Sequence, residues 1–388
     1  MKKKIFALAL AVFMGIALLP AAPSLAANDV ALVIDGVKQN PDVAPLVVNG
    51  RTLVPLRLVS ETLGADVSWS APNQQATIQT AAYNVVFTIG AKTYTVNGAN
   101  KSLDEPPQLV NGSTLIPLRA FAESINAVVD YDSSSNTASV NYFTTMTGTL
   151  KINGSTTLQP VAQAAADKLA AMNKGLSITV AGGGSGTGIN DAKAGTVNIG
   201  MSSRELTTEE LASLTPYAVA NDGIAIIVHP DNPVKNLTKD QAAKIFLGEI
   251  NNWNQVGGSN APISVMTRET GSGTRSTLEE MILNKESVVE RATPFTSSAL
   301  IKQAVAKDKN AVGFDSIGFV DSTVKAVSLD GVSATSTTVI QNTYGMGRQL
   351  LCCTSGKATG LSAMFIDYLK SADCQNNIVE KEGYVKLR

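Results

Sequence analysis

The C-terminal two-thirds of this chain reads as an α/β fold, and residues 30–142 read as a small α+β unit built twice. Three observations carry that reading. A block of residues recurs 62 positions later, from Pro45 to Pro107 through Ala65 to Ala127. From Thr149 onward, short apolar runs of strand length alternate with segments of helical spacing, the order of an α/β sheet covered by helices. Three of those helix starts open on glycine and hydroxyl residues: Gly154-Ser155-Thr156-Thr157, the glycine loop 182–188 containing Ser185, and Ser272-Gly273-Thr274-Arg275.

In chain order, Lys2, Lys3 and Lys4 precede an apolar run over 5–19, and Ser24-Leu25-Ala26 supplies small residues for a signal peptidase. Residues 1–26 are therefore expected to be a signal peptide, cleaved after Ala26 or, next, after Ala27. No cysteine stands there to take a lipid, and no later stretch is long and apolar enough to span a bilayer. The expectation is a secreted, extracytoplasmic chain, soluble or associated with the cell surface or cell wall. The remainder, about 360 residues, exceeds one ordinary core and implies at least two domains.

Lys plus Arg (31) nearly balances Asp plus Glu (32), which argues against nucleic acid or an anionic membrane as the main partner. The single histidine, His229, excludes His-rich metal sites, argues against a Ser-His-Asp triad, and is read as structural or solvated. Of Cys352, Cys353 and Cys374, an exported chain could join Cys374 to either neighbour; three buried thiols is the equal alternative.

The repeat units run from about 30 to 80 and from about 92 to 142, within a domain expected at 28–143. In each, Asn-Gly (49–50 and 111–112) favours a tight hairpin turn, and Pro55 or Pro117 suits the first turn of a helix. Apolar spacing (Leu56, Val59, Leu63; Leu118, Phe121, Ile125) continues to Gly64 and Asn126, residues that tolerate a left-handed cap. A second hairpin closes each unit, so that two units of strand, hairpin, helix and hairpin are expected to pack together and to fold alone. The shared Val-x-Asn-Gly-x-Thr-Leu-x-Pro-Leu-Arg core resembles the copper amine oxidase N-terminal-like domain of exported bacterial surface proteins. That resemblance implies a stalk or surface-association module with cell-wall or surface components as partners. With no His and no Cys, the segment offers no copper site, and no metal or cofactor is expected in the chain. Arg57 and Arg119 are read as i,i+4 partners of Glu61 and Glu123 rather than as ligand groups.

Residues 141–148 are polar and short and read as a linker; a second domain is expected over 149–388. There, strands at 150–152, 177–180, 197–200 and 263–266 each lead into a hydroxyl-bearing loop. Ligands of open α/β sheets gather at such strand ends, and a helix start offers unpaired N–H groups and a positive dipole end to an oxyanion. Serine and threonine are also ordinary N-caps, so one such loop alone says little. The glycine loop lacks the acid about 20 residues on that a dinucleotide site needs, and there is no Gly-Lys-Ser/Thr for a P-loop. Three such loops with Arg268 nearby point to a tetrahedral anion.

Taken in order, Gly154-Ser-Thr-Thr, the 182–188 loop, Ile199-Gly-Met-Ser-Ser-Arg204, the 220–228 run, Asn252-Trp253 and Arg268-Glu-Thr-Gly-Ser-Gly-Thr-Arg275 resemble the phosphate-specific substrate-binding proteins of ABC transporters. The resemblance runs from about Thr149 to Leu387 and implies a two-lobed periplasmic-binding-protein fold of type II that closes on inorganic phosphate and docks on a membrane permease. Residue by residue it implies Thr156 and Thr157, with Ser155 close by, in the first anion loop, and Ser185 as the hydroxyl of the glycine loop. It further implies Arg268 as the charge partner and Ser272, Gly273 and Thr274 as loop donors. Where some members carry an aspartate that accepts the proton of hydrogen phosphate, this chain has Ser203; Asp222 is the candidate for that role, and Arg204 either adds a second charge or pairs with Glu205 or Glu209. No nucleophile–base pair is present, so a binding protein and not an enzyme is expected. The alternative is a surface or wall protein that uses the same fold for phosphate sensing or adhesion.

Overall fold

The computed structural model describes residues 30–387; the expected signal peptide lies outside the described residues. At the centre of the N-terminal module, strands Arg51–Pro55 and Ser113–Pro117 run antiparallel, with Leu115 opposite Pro55, Ile116 opposite Val54 and Pro117 opposite Leu53. Residues 53, 54 and 55 are the repeat counterparts of 115, 116 and 117. The register is therefore symmetric about the Val54–Ile116 pair, and a local two-fold normal to the sheet relates the copies. Leu46–Val48 and Gln108–Val110 flank the pair through hairpins whose Asn49-Gly50 and Asn111-Gly112 turns have positive φ at both residues. Helices Leu56–Thr62 and Leu118–Ser124 follow Pro55 and Pro117 and bury Val59 and Phe121.

The outer sheets hold a feature that the repeat does not announce. Hairpin Asp66–Ser70/Gln75–Gln79 of the first copy pairs through Asn84–Thr88 with Thr93–Val96 and Ala99–Ser102 of the second. Conversely, Thr137–Asn141 of the second copy takes the lead-in strand Ala31–Ile34 of the first as a parallel neighbour. The copies thus exchange strands, and each outer sheet needs both.

Residues 141–148 are not a solvated linker. Tyr142, Phe143 and Met146 are buried, and the 3-10 turn Phe143–Thr145 is held by the Asp35 carboxylate, whose Oδ1 accepts the Tyr142, Phe143 and Thr144 N–H groups at 2.7, 2.9 and 3.3 Å. The polar residues of the segment face out while its three large apolar side chains enter a core that continues from the module into the first lobe. Val59, Leu63 and Phe121 share that core with Leu169, Phe365 and Tyr368, and Phe143 stacks edge-on to Tyr368 at 5.1 Å. Gly64 (φ +78°) lies so close to the Asp367 carbonyl that a Cβ there would be 1.8 Å from its oxygen. The Asp367 carboxylate, fully buried, accepts the Ala81 N–H (2.7 Å) and the Tyr142 hydroxyl (3.0 Å); burial pushes its pKa up to about 7.

After this segment, Gly148–Gly154 pairs in parallel with Leu176–Ala181 and Ile199–Ser202, and Ser264–Arg268 in parallel with Thr293–Phe295 and Ala311–Ser316. These are the sheet halves of two lobes. The 15-residue strand Leu214–Val228 joins them: its first part pairs with Gly347–Ser355 beside the first lobe, its second with Ala311–Ser316 in the second. The runs 218–220 and 224–228 are thus one strand, with a register shift between Ala218 and Ala220 and a change of partner from lobe to lobe between Gly223 and Ile224. The second lobe has its own core, including Ile226, Phe246, Trp253, Leu278 and Phe314. All three cysteines are buried free thiols; burial pushes Cys353 up to about 12.

Candidate functional site

The strands of both lobes deliver their hydroxyl-bearing loops to one cleft. Arg268, the last residue of its strand, is 1 % exposed. Its Nη2 donates to Thr156 Oγ1 of the other lobe at 3.0 Å and to the Thr296 carbonyl at 3.3 Å; its Nη1 donates to Ser298 Oγ at 3.2 Å and its Nε to the Phe295 carbonyl at 3.1 Å. Every one of these acceptors is neutral, and among the described residues Arg268 forms no ion pair. Burial pushes its pKa down. A buried cation without an opposite charge in contact is costly, and an anion beside it relieves that cost.

The other expected residues converge on the same place. Thr157 Oγ1 lies 3.0 Å from Thr274 Oγ1 and 3.5 Å from Ser298 Oγ. Ser185 Oγ accepts the Ser203 N–H at 3.0 Å and lies 3.2 Å from Ser203 Oγ. Gly273 faces both: a Cβ there would sit 2.4 Å from Ser185 Oγ and 2.7 Å from Ser203 Oγ, so only glycine allows this approach. Ser272 caps helix Gly273–Met281 by accepting the Arg275 N–H, and Gly186 N–H donates across the cleft to the Gly271 carbonyl at 2.9 Å. Ser155 turns inward instead: its Oγ accepts the Leu158 N–H and its own N–H goes to the Met201 carbonyl, which makes it a support for the loop. Arg204 points away, with its guanidinium on Glu210 at 2.8 Å through two N–H groups, so neither Glu205 nor Glu209 supplies its carboxylate partner.

Sequence reasoning missed four members. Arg348 heads an apolar strand; its Nε and Nη2 fork onto Asp222 Oδ2 at 2.9 and 2.7 Å, while Nη1 donates to the Ser203 carbonyl and to Thr274 Oγ1 at 2.9 and 3.0 Å. Ser316 hydroxyl donates to Asp222 Oδ1 at 2.6 Å. Both Asp222 oxygens are thus engaged, and Asp222 holds Arg348 against the two loops. Asp315 and Ser298 complete the set. Asp315 Oδ1 accepts the Ser316 N–H at 2.8 Å, while its fully buried Oδ2 meets no donor among the described residues. Burial pushes the Asp315 pKa up to about 6, against the pull of the Ser298 hydroxyl and Arg268. The signal for Asp315 was an acid interrupting the apolar run Ala311 to Phe314; Arg348 and Ser298 carried no local signal.

His229 Nδ1 accepts the Asp231 N–H at 3.0 Å, a turn contact remote from the cleft set. Among the described residues, no three His, Cys, Asp or Glu side chains gather as a metal site would require.

Residues 122–373 match the model of the PBP superfamily domain, and residues 33–140 that of the copper amine oxidase N-terminal domain. Similar proteins include the phosphate-binding protein PstS of Bacillus subtilis, 37 % identical over 62 % of this chain and 81 % of that protein, and its namesake from Borreliella burgdorferi, 28 % identical over 62 % and 90 %. Among solved structures, a phosphate ABC transporter substrate-binding protein with bound phosphate from Clostridium perfringens is 38 % identical, with a TM-score of 0.60 over 62 % of this chain and all of that one. An ABC-type phosphate transport receptor from Vibrio cholerae is 35 % identical, with a TM-score of 0.53 over 61 % and 99 %.

Proposed function

Because the chain belongs to the PBP superfamily, and within it to the family of the phosphate-binding protein PstS, we propose that it captures inorganic phosphate between its two lobes, outside the cytoplasm, for delivery to an ABC transporter. The observation that carries this reading is Arg268, a buried guanidinium whose protein partners are all neutral, ringed by hydroxyls from both lobes. A tetrahedral dianion there takes the charge of Arg268 and the O–H and N–H donors of Thr156, Thr157, Ser185, Ser203, Ser272, Gly273 and Thr274. Ser155 supports the first loop. Such charge-assisted bonds are about twice as strong as neutral ones, and closure excludes the water that would weaken them.

Selectivity follows from the carboxylates. Phosphate retains a proton near neutral pH and sulfate does not, so a carboxylate with an open oxygen accepts the one and repels the other. The role expected of Asp222 is better met by Asp315, since Asp222 is saturated by Arg348 and Ser316 and Asp315 Oδ2 is open.

Calorimetric titration of residues 27–388 with phosphate, sulfate, molybdate and arsenate tests the reading. Phosphate should bind at micromolar Kd or tighter, and sulfate about 100-fold or more weakly, ~2.7 kcal/mol. Asp315→Asn should narrow that gap; Asp222→Asn should weaken both anions together by loosening Arg348. Heat from sulfate or molybdate but none from phosphate would overturn the assignment.

A further inference from the structure

The N-terminal module carries two grooves that are copies of each other. The first, about 690 Å³, is walled by Pro55, Arg57 and Trp69 of one repeat and Leu109 of the other. The second, about 310 Å³, is walled by Pro117, Arg119, Tyr131 and Val47, the same positions moved by one repeat. Each groove therefore lies across the two copies, and the local two-fold normal to the central sheet leaves both grooves on the same face of it. Trp69 and Tyr131 are the large aromatics of this face and are 44 % and 43 % exposed, in a module whose other large apolar residues are mostly buried. Exposed aromatic surface that recurs by symmetry marks a contact site.

We propose that these grooves bind saccharide units of a neutral glycan, one short segment in each. An indole or phenol face in an open groove matches the flat C–H face of a pyranose ring, and polar side chains at the rim match its hydroxyls. The rims are mixed in sign: Asp42 and the Arg57–Glu61 pair (2.9 Å) at the first groove, and Arg119, Asp130 and Arg51, itself paired with Asp104 at 2.6 Å, at the second. No single-sign field is present to hold a lipid surface or an acidic polymer. An extended peptide fits less well, because the sheet edges beside the grooves, Leu46–Val48 and Gln108–Val110, are three residues long and run straight into tight turns. A two-fold reverses direction, so one straight strand cannot enter both grooves in the same polarity. The module instead grips two strands of a network and gains effective concentration from the pair.

The two tryptophans make the test direct, since Trp253 is buried in the second lobe and only Trp69 is open to a quencher. Residues 27–388 are titrated with chitohexaose and cellohexaose while iodide quenching is followed, and retention on insoluble chitin and cellulose is measured in parallel. Protection of Trp69 by an oligosaccharide, with retention cut tenfold or more in Trp69→Ala and lost in Trp69→Ala/Tyr131→Ala, supports the proposal, provided both variants bind phosphate as wild type does. Absence of protection by either sugar, retention unchanged in the double variant, or protection by an unstructured peptide in place of sugar overturns it.

Discussion

Two surfaces join the parts of this molecule, and they are made of opposite materials. The cleft between the lobes is closed by hydroxyls, two guanidinium groups and a backbone contact from Gly186 to Gly271. The junction between the module and the first lobe is a continuous apolar core that encloses the Asp367 carboxylate. Hydrogen bonds are exchanged for water or ligand at small net cost, whereas apolar area is not. The cleft is therefore the surface expected to open, and the junction the surface expected to stay shut. A module fused this way should move with the first lobe as one body while the second lobe swings on the strands that cross between them.

The comparison is broken most forcefully at Arg268. Arg268→Ala removes a buried cation that has no carboxylate in contact among the described residues, and phosphate affinity should fall by at least about 100-fold while the fold persists. Calorimetry reads it; wild-type affinity in that variant would mean that the anion sits elsewhere. The mirror change lies at the junction. Gly64→Val places a β-branched side chain at φ +78° and against the Asp367 carbonyl, and should cost about 3 kcal/mol or more of stability. The thermal midpoint should fall while the folded fraction keeps its phosphate Kd within about twofold.

How much of this was legible in the sequence depends on how local the signal is. The module's helices and tight turns could be read because Asn-Gly and the Pro-Leu-Arg run encode them within a few residues. The strand exchange between copies could not, since a strand's own pattern does not name its partner. At the cleft, Arg268 and the helix-start hydroxyls stood out because they cluster along the chain. Arg348, Ser298 and Asp315 reach the same spot from separate strands and helices, so only the fold brings them together. Counting polar residues across 141–148 hid three apolar side chains that anchor the junction.

A smaller effect sharpens the comparison through pH. The folded-state pKa of Asp367, about 7, lies above its ordinary 3.8, so the folded protein holds a proton that the unfolded chain has released between those values. Its contribution is fully present below about pH 4 and is lost as pH rises through about 7. Asp367→Asn should flatten that fall: the variant should gain thermal midpoint relative to wild type above pH 7, with little change in phosphate affinity. An unchanged pH profile would place the proton on another group.

Hydrogen exchange with and without saturating phosphate tests the division of labour most directly. The account predicts added protection on both walls of the cleft, at residues 155–158, 185–188, 271–277 and 297–300, and no change at the junction around 62–65, 80–83 and 142–146. Protection that appears at the junction as strongly as at the cleft, or at neither, would contradict it.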